Sequence, residues 1–203
     1  MSPYDTVAEL EQRVAAYGGS KYAVAVDSCT NALLLSVRLR LMQGYPNVAN
    51  MPKLSYIGVP HAIVNAGATV TFRDDDWQGE YEITPLKIID AARRFRKGMY
   101  KPGTLYCVSC HWGKILKIGR GGFILTDNID EYETLRRMRC DGRRIGVIPK
   151  QDSFDLPGYH CYMLPEEAAR GLMLMSYMPD NNADLPRDDY ADLSKIDYFK
   201  DRQ

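Results

Sequence analysis

The sequence predicts an α/β protein with three αβα layers around a mostly parallel central sheet. Two observations carry this expectation. Short apolar or β-rich runs alternate with segments of helical periodicity, which is the pattern of βαβ units. Polar residues able to do chemistry gather where those runs end, the edge on which parallel sheets place their sites. The chain has 203 residues and is 45% hydrophobic, enough for one core.

The elements follow in order. Val7, Leu10, Val14 and Tyr17 recur at helical spacing, and Gly18–Gly19 ends that helix. Tyr22–Val26 reads as a buried strand, and Ala32–Leu41 as a helix behind Ser28–Asn31. Lys53–Ile57 is expected to be the second strand, His61–Asn65 a short helix, and Thr69–Arg73 the third strand. Lys87–Asp90, Thr104–Cys110 and Phe123–Thr126 complete the strands; Asp130–Arg139 and Pro165–Met175 are helical. Residues 1–178 are read as one large domain, and 179–203 as a polar tail expected to wrap a surface or a partner chain.

Lys plus Arg equals Asp plus Glu at 26 each. A net charge of zero speaks against a nucleic-acid or anionic-membrane partner. No apolar run approaches the roughly 20 residues of a membrane span, and Met1–Gln12 lacks the apolar segment of a leader. The expectation is a cytoplasmic protein, and five cysteines argue against a disulfide framework.

Four predicted strand ends carry chemistry: Ser28–Thr30, Ser55–Tyr56, Asp90 and Ser109–His111. A helix start behind Ser28 offers free N–H groups and a dipole to an anion, although any capped helix does the same. Asp90 could hold a cationic ring nitrogen or merely cap a turn. Lys114, near the turn Gly119–Gly122, could form a Schiff base, with Lys117 as a competitor. Cys107, Cys110 and His111 match a haem-attachment or metal pattern. Residues three apart on a strand point to opposite faces, so no metal or haem is expected. His61 is read as a structural histidine, and Trp77 and Trp112 as packing residues.

Taken in order, these segments resemble the DegT/DnrJ/EryC1/StrS sugar aminotransferases, pyridoxal-phosphate (PLP) enzymes of fold type I. The resemblance runs from about Val7 to Gly171. Tyr22–Leu33 is similar to the family's strand, Ser-Gly-Thr turn and helix. Ile89–Ala92 is similar to its Glu-Asp-Ala-Ala element, Ser109–Lys114 to Ser-x-His-x-x-Lys, and Gly158–Met163 to Gly-Tyr-Asn-Tyr-Arg-Met. The resemblance implies a fold type I large domain without the small C-terminal domain. It implies PLP as cofactor, with Lys114 and Asp90 catalytic. Cys29, Thr30 and Ser109 would lie at the phosphate, Tyr56 on the ring, Arg93 near the phenolic oxygen, and His160 at a neighbouring subunit's phosphate.

The chain departs from the pattern at Cys29 (Gly in the family), Arg93 (Gln or His), His160 (Asn) and Tyr162 (Arg). Between Tyr81 and Asp90 a crossover unit is missing. The implied activity is transfer of an amino group from an amino-acid donor to a keto acceptor, a keto-sugar nucleotide or a small keto acid. A homodimer with a shared site is implied as well. Two alternatives stay open: a non-catalytic subunit derived from such an enzyme, and sugar dehydration, in whose family members a His replaces the lysine.

Overall fold

The computed structural model describes residues 4–200. Its helices are α1 (Asp5–Gly18), α2 (Cys29–Met42), α3 (Gly58–Asn65), α4 (Ile129–Met138), α5 (Pro165–Met175) and α6 (Asp197–Lys200). Its strands are β1 (Tyr22–Val26), β2 (Val48–Pro52), β3 (Thr69–Arg73), β4 (Tyr81–Ile83), β5 (Ile88–Asp90), β6 (Leu105–Ser109) and β7 (Gly122–Thr126).

Five strands form one sheet in the order β1-β7-β6-β5-β4, and β2 pairs with β3. An antiparallel bridge between Asn50 and Thr84 joins the two sets. Followed through these pairings, β1, β2, β3, β5 and β6 share one direction, while β4 and β7 run against them. The expected mostly parallel sheet is therefore correct for strand direction, but the sheet is mixed: within the five-stranded set only β5–β6 is a parallel pair. Connection length is the physical reason. Parallel neighbours need a crossover of a dozen or more residues, and only Thr84–Lys87 separates β4 from β5. A link that short leaves only a hairpin. β7 likewise returns antiparallel to β6 through the glycine-containing turn 119–122.

Side-chain alternation assigns each strand to two cores, one per face of the sheet. Val24, Val26, Ile88, Leu105, Cys107 and Ile124 pack with residues of α2, α3 and α4. Ala23, Ala25, Ile89, Tyr106, Val108, Phe123 and Leu125 pack with residues of α1 and α5. The αβα layering is thus as expected.

One expectation needs correction. The second strand is β2, upstream of the expected Lys53–Ile57. Parallel pairing with β3 in the register Val48↔Thr69 selects the segment that buries Ala49 and Met51, although it contains Asn50 and Pro52; tertiary pairing overrides strand propensity. The tail, expected to wrap a surface or a partner chain, lies against its own chain. Leu193 and Phe199 are buried in the core beside α2 and α3, and the His61 ring lies 5.1 Å from both Tyr198 and Phe199.

Candidate active site

A cavity of about 380 Å³ opens at the edge where β1, β2, β5 and β6 end and where β4 and β7 begin. It falls within the roughly 300–1,000 Å³ of ligand pockets. Lys114, Asp90, Cys29, Thr30, Tyr56, Arg93 and Ser109, all expected from sequence, line it together.

Asp90 ends β5 and is 5% exposed. Tyr81, entering on β4, donates its hydroxyl to Asp90 Oδ2 at 2.7 Å, and the Ala92 N–H donates to Oδ1 at 3.0 Å. Each oxygen keeps further acceptor capacity. Burial raises the Asp90 carboxyl above its ordinary value; the Tyr81 and Ala92 donors and the charges of Lys114 and Arg93 pull the other way. Burial pushes the Tyr81 phenol well up, and the Asp90 charge adds to this.

Lys114 sits on a turn whose backbone closes onto the His111 carbonyl at 2.9 Å, braced by Trp112 N–H to Gly119 O at 3.2 Å. Its amine is half-buried and makes no hydrogen bond or ion pair among the described residues. Burial, then the Arg93 charge, lowers its pKa, with Asp90 opposing. Lys117 is exposed and does not line the cavity.

The start of α2 forms another wall. Ser28 caps it by accepting from the Asn31 N–H at 3.2 Å, and a helix start leaves its first N–H groups without intrahelical acceptors. Gly122 allows β7 to pass this turn: a Cβ there would lie 2.7 Å from Cys29 N and 2.8 Å from Ser28 C. Burial, then the Asp90 charge, raises the Cys29 thiol well above its ordinary value, so it stays neutral. Ser109 is buried and accepts from the His111 N–H at 3.5 Å, which leaves its O–H to donate. Tyr56, 57% exposed, lies at the mouth over Gly58.

Arg93 and His160 have protein partners of their own. Arg93 lines the cavity, but its guanidinium bonds the tail: Nε donates to Tyr190 Oη at 3.2 Å, and the other nitrogens meet the Pro186 carbonyl and Asp188. His160 lies outside this cavity, in an adjoining depression with Asp27, Arg120 and Tyr162, its Nδ1 3.1 Å from Asp141.

Sequence reasoning missed Tyr81, Trp77, Arg120, Asp188 and Tyr190 as lining residues, whereas His111 belonged to the expected strand end Ser109–His111. Trp77 donates Nε1–H to the Leu54 carbonyl at 2.9 Å and packs on Tyr81; Trp112, expected to pack, is 71% exposed. Cys107 and Cys110 diverge as expected, one into each core. Among the described residues no group of three or more His, Cys, Asp or Glu is placed to hold a metal ion, and no helix is long and apolar enough to cross a membrane.

The residues fit pyridoxal 5'-phosphate: a buried acid with spare lone pairs, an unpaired amine, a helix start and a free hydroxyl share one cavity. Fold and site together define the class, the large domain of a fold type I PLP enzyme. Residues 1–101 match the model of the DegT/DnrJ/EryC1/StrS aminotransferase family, and the chain belongs to that family of PLP-dependent enzymes.

The spore coat polysaccharide biosynthesis protein SpsC of Bacillus subtilis (strain 168) is 32% identical over 138 residues, 67% of this chain and 35% of that protein. The solved sugar aminotransferase CalS13 from Micromonospora echinospora superposes with TM-score 0.72 at 21% identity, covering 85% of this chain and 60% of that one. The solved GDP-4-keto-6-deoxymannose-3-dehydratase ColD gives TM-score 0.67 at 19% identity, with 86% and 61% covered. The chain thus spans about a third of the curated relative's length and about three fifths of these solved chains.

Proposed function

We propose that this chain is a PLP-dependent aminotransferase that moves an amino group from an amino-acid donor to a keto acceptor, a keto-sugar nucleotide or a small keto acid. The observation that carries this reading is the unpaired Lys114 amine in the same cavity as the buried Asp90 carboxylate. When bound, PLP supplies an aldehyde for imine exchange and a ring that withdraws electrons from the carbon bearing the amine.

The chain's own residues do the rest. Asp90 would accept from the ring N–H and, as an anion, would hold the proton on that nitrogen. Lys114 has a lowered pKa, so more of it is neutral and nucleophilic; its Nζ would take the proton from the donor's Cα and deliver it to the cofactor carbon that carried the aldehyde, not back to Cα. Ser109 and the first turn of α2 bind the phosphate. Tyr56 covers the ring and excludes water from the mouth.

The test is a spectrum of the purified chain with PLP, followed by borohydride reduction and peptide mapping. A visible band and a fixed adduct at Lys114 are expected, both lost in Lys114→Ala and kept in Lys117→Ala. The opposite pattern overturns the assignment. Bleaching of the band by members of an amino-acid panel identifies the donor.

A homodimer with a shared site belongs to the same proposal. His160 is 70% exposed in its side chain and lies beyond the Asp27–Arg120 pair that borders the cavity; with Nδ1 turned to Asp141, its other ring nitrogen could meet a second copy's phosphate. Mixing Lys114→Ala with His160→Ala subunits is expected to restore activity above both parents. Full activity in a proven monomer refutes the sharing.

A further inference from the structure

We propose that Arg93 is the receptor for the amino donor's carboxylate, and that Asp188 occupies it from the tail until a substrate carboxylate displaces it. This rests on the aminotransferase reading and adds to it a substrate-binding residue and a built-in competitor.

The asymmetry of the ion pair is the starting point. The Arg93 side chain is 7% exposed and that of Asp188 65%. A buried guanidinium needs an anion beside it, but nothing requires that anion to come from the protein. Arg93 stands three residues past Asp90 and walls the same cavity as Lys114. A donor whose amine is exchanged at Lys114 brings its carboxylate into the space those two residues share. Guanidinium suits this task because its planar fork matches a carboxylate.

The tail is built to release Asp188 without coming off. Upstream, Asp184 holds Arg94 through two hydrogen bonds, 2.9 and 2.6 Å, and Leu185 N–H donates to the Arg93 carbonyl at 2.9 Å. Downstream, Leu193 is buried and donates to the Lys53 carbonyl at 3.0 Å. Asp188 lies between these anchors. Swinging it away returns an exposed carboxylate to water, while the incoming carboxylate keeps Arg93 paired. One anion replaces another, and no buried charge is stranded.

The cavity's other cations do not offer this exchange. Lys114 is committed to the cofactor. Arg120 pairs with Asp27, but there the cation is the exposed member and the acid is fixed, accepting from Asn31 at 2.7 Å and Ser28 at 3.2 Å. The geometry therefore favours donors that carry a carboxylate next to the amine over simple amines.

The experiment is calorimetric titration of the PLP-loaded and cofactor-free chain with glutarate, which has carboxylates but no amine, and with uncharged glutaramide. Wild type is expected to bind glutarate and not glutaramide. Asp188→Asn removes the competitor and should bind glutarate about fivefold tighter, ~1 kcal/mol at 1.4 kcal/mol per tenfold. Arg93→Gln should lose at least about tenfold, the loss of roughly one charge-assisted contact. Unchanged or weaker binding in folded Asp188→Asn overturns the proposal, as does wild-type affinity in folded Arg93→Gln; if Arg93→Gln does not fold, Asp188→Asn decides alone. A chain that fixes PLP at Lys114 but binds glutarate identically in all variants refutes the carboxylate receptor alone. A chain that never fixes PLP but shows the tightened binding refutes the aminotransferase and keeps the receptor.

Discussion

Replacing Tyr81 with Phe removes one oxygen and leaves the ring, including its edge contact with Trp77 at 4.7 Å, in place. The lost hydroxyl is the donor to Asp90 Oδ2 at 2.7 Å, between two residues that are 6% and 5% exposed. Burial of both residues limits how far cavity water can replace the donor, so a hydrogen bond to a charged group sets the scale, roughly 1.5–3 kcal/mol. About 2 kcal/mol in a chain of this size lowers the unfolding midpoint by about 4–8 °C.

The pH dependence has a definite sign. Burial raises the Asp90 carboxyl in the fold, so what this group contributes to stability is fully present below its unfolded value and is lost as pH rises through its folded one. The Tyr81 donor offsets that loss by favouring the ionised form. The gap between wild type and Tyr81→Phe is therefore largest above the folded Asp90 pKa and shrinks as pH falls through it. Circular dichroism melts of the cofactor-free proteins between about pH 4 and pH 8 measure this. An unchanged midpoint at neutral pH, or a gap independent of pH, refutes the reasoning.

Gly122→Ala would place its Cβ 2.7–2.9 Å from backbone atoms of Ser28 and Cys29. Backbone there cannot give way, so a loss of roughly 1–3 kcal/mol is expected, together with weaker PLP binding at the displaced helix start. Gly113→Ala, which meets only His111 Nδ1 at 3.7 Å, should melt like wild type to within about 0.5 kcal/mol; equal melting of both variants would remove the close approach as an explanation. PLP capture by the apoprotein should rise with pH with a midpoint below the ordinary lysine value near ~10.4, because burial and Arg93 lower the Lys114 pKa. Asp90→Asn should move that midpoint lower still, since Asp90 opposes the shift; a midpoint that moves up contradicts the electrostatics described.

Much of the architecture was legible in local patterns. The runs Tyr22–Val26 and Thr69–Arg73 became β1 and β3 with the expected bounds, and Pro165–Met175 became α5, because apolar spacing and caps are local properties of a chain. Direction reversal was harder to read. The short Ile83–Ile88 link marked a missing crossover, but only the paired backbone shows that β4 then turns antiparallel.

The sequence by itself brought Asp90 and Ser109 together, because residues that end strands of one direction must meet at one edge of the sheet; Lys114 was set apart from Lys117 only by the spacing of the family it resembles. Tertiary structure alone decided what surrounds them. Tyr81 reaches Asp90 from a strand running the opposite way, and Asp188 and Tyr190 reach Arg93 from almost a hundred residues downstream. Such contacts have no period in the sequence. They exist because burying Leu193 and Phe199 draws the tail back across the chain, and the polar residues between those anchors and Asp184 are carried to the cavity with it.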